Sequence, residues 1–256
     1  MRKRILLSVL LAIFLVGCGR GSGDYRSQPP DPKMLHAAMQ DLTNVIVYDI
    51  FSPPQASRAY AYASVAAYEA LRPDYASKYR TFAGQLNGLT PPPMPAPDSQ
   101  YYLPLSSVHA FMVVGKAMTF SSARMDSLRK AMDDRYRSMG IPDAVYNRSI
   151  TYGDTVAKHI LAWARKDNYL QTRGMPKYTV TTDAGRWVPT PPAYMDAVEP
   201  HWGEIRPFVM ESGSQFKPEP PYPFDTAKTS AYYRDVKETH DVKQKMTDDQ
   251  LALTAF

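Results

Sequence analysis

Residues 55–71 read QASRAYAYASVAAYEAL, and this stretch decides the fold class. Ala56, Ala59, Ala63, Ala66, Ala67 and Ala70 fall at spacings that share adjoining positions on a helix surface. Alanine is the best helix former and has no bulk to hold a neighbour away, so another helix can come close. The pattern predicts a helix at the centre of an all-α bundle.

Outward from that stretch the helical spacing repeats. Upstream, Leu35, Ala38, Met39, Leu42, Val45, Ile46 and Ile50 predict a helix over about Met34 to Phe51, ended by Pro53-Pro54. Downstream, a proline-rich loop (Thr90 to Pro97) precedes a helix over about Leu105 to Thr119. Met125, Leu128, Met132, Tyr136 and Met139 then keep a three-four spacing, with Gly140 and Ile141-Pro142 as its stop signal. Pro142 opens a further helix in which Val145, Ser149, Tyr152, Val156, Ile160 and Trp163 form one stripe. Methionine and aromatic stripes of this kind are core faces, not a cofactor box.

From about Tyr169 to Lys228 the periodicity lapses and prolines accumulate, at 176, 189, 191, 192, 200, 207, 218, 220, 221 and 223. Structureless stretches this long usually wrap a surface or serve a site. The aromatics Tyr178, Trp187, Tyr194, Trp202, Phe208, Phe216, Tyr222 and Phe224 predict an ordered arm that packs down, because disordered linkers are poor in such residues. Helical pattern resumes at about Thr229 to Lys245. Thr247-Asp248-Asp249-Gln250 reads as a capping box opening another helix, whose first apolar positions are Leu251, Leu253 and Phe256. A domain seldom stops one turn into such a helix, so the expectation is an incomplete domain that belongs to something longer.

At the N-terminus, Arg2, Lys3 and Arg4 precede an apolar run from Ile5 to Val16 and then Gly17-Cys18. That run is shorter than the roughly 20 residues a permanent membrane helix needs, and the pattern is that of a secretory signal peptide over residues 1–17. Leu15-Val16-Gly17-Cys18 resembles a bacterial lipobox, which implies diacylglycerol on the thiol of Cys18 and cleavage before it. Residues 18–33, rich in Gly, Ser, Pro and charge, read as a flexible tether. About 15 such residues would hold the domain at 34–256 some 20 Å from the lipid. Gly19, not an aspartate, follows the cysteine and favours an outer-membrane location in the bacterial envelope.

Losing Arg2, Lys3 and Arg4 takes the formal charge from +5 to +2, so the basic pI carries no message about nucleic acid, and no basic stretch with interleaved aromatics exists. With its single cysteine spent on lipid, the domain has no disulfide and depends on core burial.

Three stretches carry a family resemblance. They are Asp49-Ile-Phe-Ser-Pro-Pro with Ser57-Arg58 and Ala66-Ala67-Tyr68-Glu69-Ala70; Gly185-Arg186-Trp187-Val188-Pro189-Thr190-Pro191-Pro192; and Pro200-His201-Trp202-Gly203 with Pro207-Phe208, Gln215-Phe216 and Pro220-Pro221. Together they resemble the N-terminal half of bacterial vanadium-dependent haloperoxidases of the type 2 phosphatidic acid phosphatase superfamily. The resemblance implies an all-helical enzyme that holds vanadate at a histidine among Lys, Arg, Ser and Gly donors, binds peroxide on it and oxidises a halide. Relatives use the same pocket as acid phosphatases, since vanadate copies the transition state of phosphate transfer.

The family's pocket motifs are Lys with Arg-Pro seven positions on, Pro-Ser-Gly-His, and Ser-Arg with His six after the Arg. Here Arg72-Pro73 and Arg206-Pro207 have Val65 and Glu199 at the lysine position, Ser57-Arg58 has Ser64 at the histidine position, and Pro-Ser-Gly-His is absent. No residue is therefore assigned as catalytic or as a metal ligand, vanadate is expected only in a full-length protein, and the chain alone is expected to be inactive. The histidines 36, 109, 159, 201 and 240 show no metal-type spacing and read as surface or core side chains; His201 beside Trp202 is the one candidate for a substrate path. Asp49, Arg58 and Glu69 read as members of partly buried salt links, and Asp133-Asp134 as a solvated face. Two function classes follow: the scaffold half of an envelope haloperoxidase or phosphatase, and a non-catalytic envelope lipoprotein that binds a glycan, protein or lipid through its aromatic arm.

Overall fold

The computed structural model describes Tyr25 and residues 30–254. Residues 1–24, which include the expected signal peptide and Cys18, residues 26–29 and residues 255–256, Phe256 among them, lie outside the described residues. Eight α-helices are present among those described: α1 Pro32–Tyr48, α2 Pro53–Leu71, α3 Leu103–Met118, α4 Ser122–Ser138, α5 Asp143–Ala164, α6 Tyr169–Thr172, α7 Ala231–Gln244 and α8 Asp248–Thr254, with 3-10 turns at Arg72–Tyr75 and Trp202–Glu204. The all-α expectation holds.

Helix ends follow local chemistry. α1 begins two residues before the expected start, because Asp31 caps it by accepting the Lys33 N–H at 2.9 Å and Pro32 fits the first helical position. It ends at Tyr48, earlier than the apolar spacing suggests. The Ile50 N–H bonds the Val47 carbonyl and the Phe51 N–H bonds the Ile46 carbonyl, a Schellman closure with Ile50 in the left-handed region at φ 54°. Ile50 is consequently 88% exposed and not part of the core stripe. Pro53 and Pro54 start α2 as well as stopping α1, and the Gln55 side chain accepts the Ser52 N–H. Gly140 takes φ 74° at the end of α4, and Thr247 and Gln250 exchange both bonds of the capping box on α8.

The helix at the centre is α3, not α2. Its buried positions run almost all round the cylinder, Leu105, Val108, Phe111, Met112 and Val114 among them, as expected of a helix enclosed on every side. The alanine face of α2 lies against it, with the Ser107 hydroxyl donating to the Ala67 carbonyl at 2.8 Å. α5 approaches from another side so closely that a Cβ on Gly153 would stand 2.8 Å from the Ser106 carbonyl oxygen. There Ser106 donates to the Ser149 carbonyl and Ser149 accepts the Tyr102 N–H, both at 2.8 Å. Met125, Met132 and Tyr136 of α4 and the whole Val145-to-Trp163 stripe of α5 are buried, as their spacing predicts.

Two expectations are corrected. The tether is not free throughout: Tyr25 is 7% exposed and its ring meets Tyr102 edge-on at 5.6 Å, because an aromatic amid small polar residues can still seat in the core. The arm packs down only in part. Phe208 sits on Tyr62 and Trp163, and Trp202 on Tyr169, but Trp187, Tyr194, Phe216 and Tyr222 are 46%, 62%, 77% and 56% exposed. Tyr178 pairs with Trp187 and Phe224 with Tyr232, so these aromatics satisfy each other locally instead of reaching the bundle. α7 and α8 have no buried residue.

Candidate functional site

The densest polar constellation lies where the arm meets α2 and α5. Arg58, on α2, donates from Nε to Asp167 at 2.7 Å, and the two side chains are 13% and 1% exposed. The Tyr62 hydroxyl, one turn along, donates to the same carboxylate oxygen at 2.9 Å, while the other oxygen accepts the Tyr169 N–H at 2.9 Å. From the arm, Arg206 donates to the Tyr62 hydroxyl at 3.1 Å and to the Trp163 carbonyl at 3.2 Å, and its N–H bonds the Asp167 carbonyl. Guanidinium faces stack on rings: Arg58 on Tyr169 at 4.4 Å, Arg206 on Trp163 at 4.7 Å. Burial, then the adjacent Asp167 charge and hydrogen bond, push the Tyr62 phenol well above its usual range, so it remains a proton donor.

Beside Arg58 opens a cavity of about 320 Å³, walled by Phe51, Met118, Phe120, Leu161, Tyr169 and Leu170. A second, of about 360 Å³, lies between the start of α2 and the arm and contains His201. His201 is tied there, its Nε2 donating to the Pro176 carbonyl at 2.7 Å. The flanking cations are committed as well, Lys177 to Asp196 at 2.8 Å and Arg173 to Glu199.

The other sequence candidates separate. Glu69 is fully buried and holds the loop after α2, accepting from the Phe82 N–H at 2.6 Å, from Thr81 at 3.0 Å and from Arg72 at 3.3 Å. Arg58 and Glu69 therefore do form buried ion pairs. Asp49 does not: it accepts the N–H groups of Phe120 and Ser121 at 2.8 and 3.1 Å and the Ser121 hydroxyl, because the turn into α4 presents unpaired donors there. Partial burial pulls its pKa upward, but those donors outweigh it and hold the carboxyl below the ordinary carboxylate range. His109 is buried against Asp154 at 2.8 Å, and His159 meets the Thr90 carbonyl at 2.9 Å. His36 and His240 are exposed. Asp134 pairs with Lys130 on the solvent face of α4. Asp167, Tyr62 and Asp154 carried no signal in the sequence, since each finds its partner across long stretches of chain.

Vanadate as a bound oxyanion calls for several free donors converging on one point. The donor set here does not fit it. Arg58 and Arg173 are committed to Asp167 and Glu199, and Arg206 gives one terminal nitrogen to a phenol and a carbonyl, leaving its buried Nε as a lone donor without a partner. His109 is buried against Asp154, and His201 is held by the Pro176 carbonyl. Among the described residues no three His, Cys, Asp or Glu side chains stand close enough to share a metal ion.

No family model matches the chain, and neither does any curated protein. Among solved structures it is similar to the crystal structure of the first bacterial vanadium-dependent iodoperoxidase, at 45% identity and a TM-score of 0.81, over 87% of this chain. The chain spans about half, 54%, of that protein's chain. Sequence and fold together make this an all-α, haloperoxidase-like chain, similar to about half of that iodoperoxidase.

Proposed function

We propose that the chain is the N-terminal, scaffold half of an envelope enzyme of the vanadium haloperoxidase and acid phosphatase kind, anchored to lipid through Cys18. The observation that carries this reading is the 45% identity, at a TM-score of 0.81, to about half of an iodoperoxidase. In the longer protein the expected chemistry is halide oxidation, X⁻ + H₂O₂ + H⁺ → HOX + H₂O, or hydrolysis of a phosphate ester at the same pocket. This half supplies the rigid floor, α2, α3 and α5, and the clamp that fastens the arm across it. The exposed aromatics of the arm favour a second reading, a non-catalytic lipoprotein that binds an envelope glycan, protein or lipid through Trp187 and Tyr194.

The deciding experiment compares the chain without its signal peptide and a version extended through whatever reading frame follows Phe256. Both are assayed for monochlorodimedone halogenation with vanadate, peroxide and bromide or iodide, and for p-nitrophenyl phosphate hydrolysis. The short chain should be silent and the long one active. Activity in the short chain would overturn the placement of the pocket; silence of a well-folded long chain would favour the binding reading. Cys18→Ser should abolish lipid labelling, and unchanged processing and membrane retention would refute the lipobox.

A further inference from the structure

We infer that Tyr25 fixes the orientation of the domain on the membrane, so that the end of the bundle carrying Tyr75, Lys78 and Tyr79 faces the lipid; this rests on acylation of Cys18. The argument begins with length. Seven peptide units separate Cys18 from Tyr25, and a Gly-rich stretch of that length has a root-mean-square span of roughly 15 Å, so the anchor stays nearer the Tyr25 seat than the far end of the bundle does. That seat is a defined place in the core. Tyr25 meets Tyr102 at 5.6 Å, and Tyr102, at the N-terminus of α3, meets Tyr136 at 6.3 Å. Ser107, just past Tyr102 in the first turns of α3, donates to the Ala67 carbonyl at 2.8 Å, which brings the C-terminal end of α2 and the Arg72–Tyr75 turn that follows it to the same end of the bundle.

The surface beside the seat suits an interface between water and lipid. Tyr75 and Tyr79 are 37% and 46% exposed, with rings 6.3 Å apart, and the Lys78 ammonium stands 5.4 Å from the Tyr79 ring centre. Tyrosine with a long cation is the combination that settles at headgroup level, the ring in the apolar boundary and the charge in water. The opposite end of the bundle is far away. From Ser149, which holds the Tyr102 N–H, to Ala164 the α5 axis covers roughly 22 Å at 1.5 Å per residue. Lys166, just beyond it, should stand clear of the bilayer.

The test uses the full chain, acylated and reconstituted in phosphatidylethanolamine–phosphatidylglycerol vesicles that carry a lipid-attached spin-label quencher. Lys78→Cys and Lys166→Cys variants bear a maleimide fluorophore. Strong quenching at position 78 and background quenching at 166 are expected. Tyr25→Ser should erase the difference while acylation persists, and Tyr25→Phe, which keeps the ring, should preserve it. Equal quenching at both positions, or a pattern indifferent to Tyr25→Ser, would overturn the inference with the anchor intact. Reaction of the Cys18 thiol itself with maleimide in the parent chain would show that no lipid is attached, and would overturn the anchor and the orientation together.

Discussion

Replacing Asp167 with alanine tests whether the arm is fastened by the buried charge cluster. Asp167 is 1% exposed and accepts from Arg58, Tyr62 and Tyr169. Its loss strands the Arg58 guanidinium, itself only 13% exposed, and leaves the Tyr62 hydroxyl to donate to nothing. Breaking a buried pair from one side costs about 3–5 kcal/mol, against ~0–1 kcal/mol for an exposed pair. At roughly 2–4 °C per kcal/mol for a domain of this size, the midpoint of thermal unfolding should fall by about 6–20 °C. Urea denaturation followed by circular dichroism should give the same loss with an unchanged slope. Arg58→Leu combined with Asp167→Leu should recover most of it, because two apolar side chains replace a desolvated pair at little cost. A loss below about 1 kcal/mol for Asp167→Ala would refute the reasoning, since it would mean the pair is effectively solvated.

Gly153→Ala should destabilise by about 1–3 kcal/mol or more, because the added carbon would sit 2.8 Å from the Ser106 carbonyl and 3.1 Å from the His109 ring, and neither backbone nor buried ring can give way cheaply; a neutral result in denaturant titration would contradict the close α3–α5 approach. Ile50→Gly should stabilise by about 1 kcal/mol in the same titration, since a β-branched residue at φ 54° is strained and its side chain is 88% exposed. Asp49→Asn should lower stability at neutral pH. The folded pKa of Asp49 lies below its ordinary 3.8, so its contribution is complete above that value and is lost as the pH falls through the depressed one; the gap between parent and variant should stay constant at pH 5–7 and close below about pH 4.

The helices were legible because their signals are local. The stripe from Val145 to Trp163, the stop at Gly140 and the capping box at Thr247 need only residues within a few positions of one another, and each took its expected place. Which helix would be central was not legible. The alanines of α2 announced close packing, but the enclosing of α3 depends on neighbours contributed by four other helices, α1, α2, α4 and α5. Arg58 and Glu69 were correctly read as buried partners without their partners being nameable: Asp167 is 109 residues from Arg58, and Thr81 sits in a loop with no periodicity. Asp49 was misread because a carboxylate serving backbone donors looks, in sequence, the same as one serving an arginine. The arm's aromatics argued for order, but composition does not distinguish a ring seated in the core, such as Phe208, from one paired with a neighbour at the surface, such as Trp187.

The bond from the Arg206 N–H to the Asp167 carbonyl also bears on how the molecule reaches its shape. It closes a loop of 39 residues, and by (3/2)RT ln n such a closure costs on the order of 3 kcal/mol before any contact is made. The bundle of α1 to α5 joins helices that follow one another along the chain, so it can assemble first and present Arg58, Tyr62 and Trp163 as a finished receptor. Docking of residues 204–210 then becomes a late step, and its reversal an opening that leaves the bundle standing. Exchange of the Arg206 amide hydrogen should consequently be governed by undocking of the arm, and should run faster than exchange at Phe111 in the enclosed middle of α3.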